Sequence, residues 1–182
     1  MIALVCGLVI LGVIELFHLA ITASLIRRLR EQGAPGPGPA PAEQIGGPEV
    51  GERTPAARTV PGVPEDAEVL FGFFSVGCPS CRTEAPRFAA AVPALGDAGV
   101  HPVAVLAGRG GTERDEYTAL LERVGTPVLD DAARAAFRSF AVRGTPAFFL
   151  VGADGTVLGK GASAAAALIA SNATREPAAA GA

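Results

Sequence analysis

Two of the chain's three cysteines stand close together in "GCPSC", residues 77–81. At this spacing, Cys78 and Cys81 can close a disulfide or share a metal ion. Their setting favours the first. The apolar run "VLFGFFS" (69–75) reads as a buried strand that ends just before them. Pro79 then opens a helix. Helix N-termini carry unpaired N–H groups and a partial positive charge, which stabilise a thiolate. Cys78 falls at the exposed mouth and Cys81 one turn inside. Cys78 is therefore read as the nucleophile that forms a mixed disulfide, and Cys81 as the thiol that resolves it. Pro79 and Ser80, between the two, are in a position to tune the redox potential.

A metal reading meets a shortage of ligands. Structural zinc needs four, and the remaining nitrogen and sulfur candidates are Cys6 and His18, in an apolar run, and His101. His101 reads as an ordinary strand-edge residue. A c-type haem motif needs histidine after the second cysteine, where Arg82 stands. No metal and no cofactor are expected.

The elements that must position the pair follow from the hydrophobic pattern. Ala85, Phe88, Val92 and Leu95 recur at helical spacing after the cysteines, with Pro86 expected to kink the helix. "HPVAVLA" (101–107) reads as a second buried strand. Thr112 and Asp115 resemble a capping box ahead of a helix with Tyr117, Leu120, Leu121 and Val124 on one face, ended by Gly125. "TPVLD" (126–130) reads as a short strand. Asp131 is placed to cap a helix carrying Ala133, Ala136, Phe137 and Phe140. "AFFLV" (147–151) and "TVLGK" (156–160) flank Asp154–Gly155, a hairpin signal. A last helix, 163–172, is capped by Ser163. Strands alternating with helices, then a hairpin and a helix, predict a mixed α/β sheet covered on both faces.

A second motif, "VRGTP" (142–146), leads directly into the "AFFLV" strand. With the CxxC upstream, the chain resembles the thioredoxin superfamily. The resemblance implies that Pro146 is a cis-proline facing Cys78 and that Thr145 offers its backbone to an extended substrate. Pro86, five residues after Cys81, matches the family's helix-kinking proline. Residues 101–130 insert a helix and a short strand that plain thioredoxin lacks, and "VGERTPAARTVPG" (50–62) resembles the lead-in of one branch. This is the TlpA-like and MauD-like membrane-anchored branch, which lies close to peroxiredoxins. The expected fold is thus a thioredoxin-like α/β domain with a TlpA/peroxiredoxin-type central insertion, over residues 50–172, with a disordered tail at 173–182. Two positions depart from the family. Gly77 stands where tryptophan usually precedes the first cysteine. Gly72 stands six residues before Cys78, where thioredoxins bury a carboxylate that moves a proton during resolution. Glu84 lies in the active-site helix and is expected to face outward, which leaves Cys81 without an identified proton acceptor.

The N-terminus, "IALVCGLVILGVIELFHLAITASLI" (2–26), has the length of a membrane span, about 20 residues. Glu15, His18 and Thr22 share a face of it. Residues 1–27 are read as a transmembrane anchor, and 28–49, rich in proline and glycine, as an extended linker. The protein is thus expected at the cell membrane as a single-pass protein in contact with the lipid bilayer. Two expectations about its orientation oppose each other. Arg27, Arg28 and Arg30 follow the span with no basic residue before it, which puts the domain in the cytoplasm. The family resemblance implies an extracytoplasmic domain, where disulfide chemistry is wanted.

A net charge of −3 gives no reason to expect a nucleic-acid partner. The expected partners are protein disulfides or dithiols, with a membrane electron-transfer partner. Two other functions fit the same superfamily. A peroxidase needs a Thr or Ser a few residues before its reactive cysteine, for which Ser75 is the stand-in. A maturation factor or copper chaperone of the Sco-like type uses CxxxC with a histidine ligand, and this chain has CxxC.

Overall fold

The structure is a computed structural model and describes residues 42–179. The expected anchor with Cys6, Glu15, His18 and Thr22, the arginines after it and the linker up to residue 41 lie outside the described residues. Among the described residues no helix is long and apolar enough to cross a membrane.

A four-helical-residue turn, α1 (Ala42–Ile45), and a short 3-10 helix (Pro55–Thr59) precede β1 (Glu68–Ser75). Then come α2 (Pro79–Asp97), β2 (Val100–Ala107), α3 (Thr112–Leu121), α4 (Asp130–Ser139), β3 (Ala147–Val151), β4 (Val157–Gly161) and α5 (Ala164–Ala179). The sheet order is β2-β1-β3-β4. β1 runs parallel to β2 and antiparallel to β3, and β3 is antiparallel to β4. This is the mixed sheet that the alternation of strands and helices predicts.

Period-two alternation sorts the two faces of the sheet. Val69, Phe71 and Phe73 of β1 look to one face, where they pack with Phe149 and with Ala133, Ala136 and Phe140 of α4. Leu70 and Phe74 look to the other, with Phe148, Phe88 of α2, and Tyr117 and Leu121 of α3. On the first face Phe71, Phe73, Phe140 and Phe149 form a chain of rings with centroids 5.0–5.8 Å apart. Fully burying such a side chain is worth roughly 1.5–3 kcal/mol, so these rings can hold the fold without a disulfide framework.

Several details depart from expectation. The strand expected at 126–130 is a single parallel bridge, Val105 to Val128, with Val128 N–H donating to Ala104 O at 2.8 Å. Pro127 has no N–H to extend the ladder. α3 is preceded by Gly111, with no side-chain cap, and Thr112 is its first helical residue. α4 likewise begins at Asp130 without a side-chain cap, and Asp131 pairs instead with Arg134 one turn on. α2 contains Pro86, the expected kink site, and also Pro93, both exposed, with no break in the helix at either. Their missing N–H groups leave the helix continuous because its buried stripe (Cys81, Ala85, Phe88, Ala89, Leu95) stays anchored on the sheet. α5 has the expected Ser163 cap, Oγ accepting from Ala166 N–H at 3.1 Å. It continues to Ala179, over most of the stretch expected to be disordered. Alanine, arginine and glutamate in that stretch are good helix formers.

The N-terminal side also differs. Residues 44–49, assigned by composition to the linker, pack against the domain. Ile45 is 2% exposed and sits in the core with Phe140 and Phe149. The hairpin at Asp154–Gly155 forms as expected. Thr156 donates to Asp154 from both its hydroxyl and its N–H, and these bonds hold the carboxyl below its ordinary range.

Candidate active site

Cys78 is the N-cap of α2, extended at φ −88° and ψ 113°. Its Sγ accepts the Cys81 N–H at 3.2 Å, and its carbonyl accepts the same group at 3.1 Å. Pro79, as first helical residue, has no N–H to leave unpaired there. Cys78 and Cys81 are joined in a disulfide, with Cα atoms 5.3 Å apart. Cys78 is half-buried, and Cys81 is wholly buried. Only Cys78 can meet a large disulfide from solvent. This is the asymmetry the sequence implied.

β1 and the loop before β3 bring the second motif to the pair. The Thr145–Pro146 peptide bond is cis. The Thr145 carbonyl oxygen lies 3.3 Å from Cys78 Sγ, where the reduced thiol can donate to it. The Thr145 hydroxyl bonds Ser75 Oγ at 2.6 Å. That bond fastens the loop to the last residue of β1, three residues before Cys78. Among the described residues the Thr145 N–H has no hydrogen-bond partner. Beside a half-buried sulfur, such a group can donate to a carbonyl that approaches the pair. Pro79 is exposed and Ser80 half-buried, both on the rim of the pair.

The two family departures have physical consequences. Gly77 has φ +80° with open space around it. A tryptophan there would occupy a backbone conformation that disfavours side chains, so the pair lacks that cover. At Gly72 a Cβ would stand 2.9 Å from a Phe74 ring carbon and 3.0 Å from ring carbons of Phe148 and Phe88. Phe148 is its cross-strand partner. The three rings, with centroids 5.3–6.0 Å apart, fill the space that a carboxylate would need. Glu84, expected to face outward, has a side chain only 14% exposed and is paired with Arg87 at 2.8 Å.

Beyond Cys81, Arg82 reaches Glu113 of α3 at 3.1 Å. An open cavity of about 450 Å³ lies there, lined by Arg82, Thr112, Glu113, Glu116, Tyr117 and Leu120. The Tyr117 hydroxyl is buried without a hydrogen-bond partner among the described residues. Burial pushes this phenol up, Glu113 adds to the shift and Arg82 opposes it. Neither Tyr117 nor Ser75 as a partner of Thr145 was recognisable from sequence as part of the site. Both are ordinary core or strand-end residue types. His101 is an exposed residue of the edge strand β2, as expected. Among the described residues no group of three His, Cys, Asp or Glu side chains is arranged to hold a metal ion.

Residues 59–159, more than half of the chain, match the model of the AhpC/TSA family. The chain belongs to the AhpC/TSA family. The matched stretch contains the bonded Cys78–Cys81 pair, the kind of group that thiol–disulfide exchange uses. Among curated proteins no match to the chain is found. It also resembles solved structures. The thioredoxin domain of a thiol-disulfide oxidoreductase from Bacteroides vulgatus is 20% identical at TM-score 0.45, over 62% of this chain and 79% of that one. A thiol:disulfide interchange protein from Bacteroides sp. is 26% identical at TM-score 0.42, over 53% and 64%. A secreted disulfide oxidoreductase of Mycobacterium tuberculosis, described as homologous to E. coli DsbE, is 23% identical at TM-score 0.42, over 50% and 66%. The chain thus spans slightly less than two thirds of the length of the last two.

Proposed function

We propose that this chain is a membrane-tethered oxidoreductase that reduces or exchanges disulfides in protein substrates. The supporting observation is the meeting of the half-buried Cys78 sulfur with the Thr145 carbonyl oxygen at 3.3 Å, beside the cis Thr145–Pro146 bond. The Cys78 thiolate attacks one sulfur of a substrate disulfide. A Cys78–substrate disulfide forms, and one substrate thiolate leaves. The Cys81 thiolate then attacks Cys78 Sγ and expels the second substrate thiolate. The substrate has gained two electrons and takes up two protons. The chain is left with the Cys78–Cys81 disulfide, the state described above. Run in reverse, the same steps deliver a disulfide.

Thr145 and Pro146 bind the substrate's extended backbone, with the Thr145 N–H as donor. Pro79 and Ser80 tune the potential of the pair. The Gly72 position holds no carboxylate to take the proton of Cys81. Residues 1–27 anchor the chain in the lipid bilayer, and a membrane electron-transfer partner resets the pair.

Insulin reduction by the purified full-length chain tests the exchange chemistry. Wild type should precipitate insulin chains in the presence of a dithiol donor, and Cys78→Ser should not. Full activity in Cys78→Ser would sink the reading. Peroxide turnover that outpaces insulin reduction would favour the peroxidase alternative. Labelling with a membrane-impermeant maleimide, on a Cys6→Ser background, tests the tether and its side. Labelling in intact cells places the domain outside, and labelling only after lysis places it inside. A chain that leaves the membrane fraction on a salt wash has no anchor.

A further inference from the structure

The residues that enter the domain just before position 50 lie against the loop that carries Thr145 and Pro146. Ile45 O accepts two N–H groups from that loop, Arg143 at 2.9 Å and Gly144 at 3.3 Å. Gly46 forms an antiparallel bridge with Val142. The Ile45 side chain is buried in the core below. Glu49 fixes the other end of the segment, its carboxylate 2.7 Å from Lys160 Nζ, whose side chain is 2% exposed. The two bonded amides immediately precede Thr145. Without Ile45 O they would turn to water, and the loop would lose both bonds immediately before Thr145.

We infer that residues 45–49 are a brace for the substrate-binding loop, so that Ile45 and Gly46 are positioning residues for substrate recognition. The brace acts through Arg143 and Gly144 on Thr145 and leaves the cysteines untouched. This inference rests on the reading of Thr145 and Pro146 as the substrate-docking loop. It also gives the lead-in from the N-terminal side a role in recognition, because whatever shifts residues 45–49 shifts the loop.

Gly46 offers a specific way to loosen the brace. Its φ is +66°, and a Cβ there would stand 2.8 Å from Ala141 O and 2.8 Å from Arg143 Cγ. Gly46→Ala must therefore pry the segment from the loop. Gly51 is the matched control. Its φ is +89°, so alanine is strained there too, but nothing lies within 4 Å. Both variants place alanine at a positive φ, and only one presses on the loop.

The experiment measures insulin reduction by the full-length wild type, Gly46→Ala and Gly51→Ala chains. Beside it run iodoacetamide alkylation of reduced Cys78 and a thermal melt. For Gly46→Ala, KM for insulin should rise several-fold to about ten-fold, the scale of one lost hydrogen bond. The kcat and the alkylation rate should stay within about two-fold of Gly51→Ala. An equal KM in the two variants overturns the brace while leaving the oxidoreductase reading intact. A fall in kcat and alkylation together with KM also overturns it, since that marks a general disturbance. If wild type itself does not reduce insulin, the underlying functional reading fails first.

Discussion

Replacing Gly72 by aspartate would restore the carboxylate that thioredoxins place beneath their resolving cysteine. The structure implies a large cost. The new Cβ meets three phenyl rings at 2.9–3.0 Å, and none can retreat freely, because Phe74, Phe88 and Phe148 are all 0% exposed. Overpacking of this kind costs about 1–3 kcal/mol. The carboxyl adds a second penalty. Protonated and unpaired among rings, it costs about 1–3 kcal/mol. Charged, it costs several. The sum, about 2–6 kcal/mol, is a large share of the ~5–15 kcal/mol stability typical of a domain. Gly72→Ala isolates the packing term. Alanine regains up to ~1 kcal/mol from a stiffer unfolded chain, so its net loss should be about 1–2 kcal/mol. Urea unfolding of the oxidised proteins measures both, with the midpoint falling at an unchanged slope. Insulin reduction should be no faster in either variant. A Gly72→Asp protein within about 1 kcal/mol of wild type would refute the packing argument. So would a gain in turnover, since it would mean that a carboxylate fits and works there.

Other consequences follow from single side chains. Tyr117→Phe removes a buried hydroxyl that has no partner among the described residues and should stabilise the fold by about 1 kcal/mol in chemical denaturation. The pH dependence has a definite sign. The folded phenol is raised above its ordinary value of about 10, so its contribution is present below that pH and lost as pH rises through the folded value. Wild type should therefore lose stability above pH ~10 more steeply than Tyr117→Phe. Arg58 donates to the carbonyls of Pro64, Gly152 and Ala153 and so ties the lead-in to the β3–β4 turn. Arg58→Ala should cost about 1–3 kcal/mol by thermal melt, and Arg58→Lys less.

Sequence periodicity was enough to place β1, α2, β2, β3 and β4 within a residue or two, because each has a strong buried face. The place of the cysteine pair was legible for a local reason: a strand end, two cysteines and a helix-opening proline are adjacent in the chain. Thr145 and Pro146 needed the resemblance as well, since Gly-Thr-Pro alone reads as an ordinary turn. Helix starts at Thr112 and Asp131 were misjudged because a capping side chain and a first-turn side chain look alike in sequence. The brace was missed for a different reason. Ile45 sits in "EQIGGPE", whose composition is that of a linker. Its burial and its two bonds to residues 143 and 144 are tertiary. The lone isoleucine before two glycines was the available signal. The closed space at Gly72 was equally illegible, because it depends on how three rings from β1, α2 and β3 converge.

The most direct test of the central claim is trapping. The full-length Cys81→Ser chain, expressed in its host, should accumulate mixed disulfides that resolve on a non-reducing gel and collapse on adding dithiothreitol. Mass spectrometry should find the cross-link at Cys78. Cys78→Ser should show none. Adducts joined through another residue, or the same adducts in both variants, would contradict the assignment of Cys78 as nucleophile and Cys81 as resolving thiol.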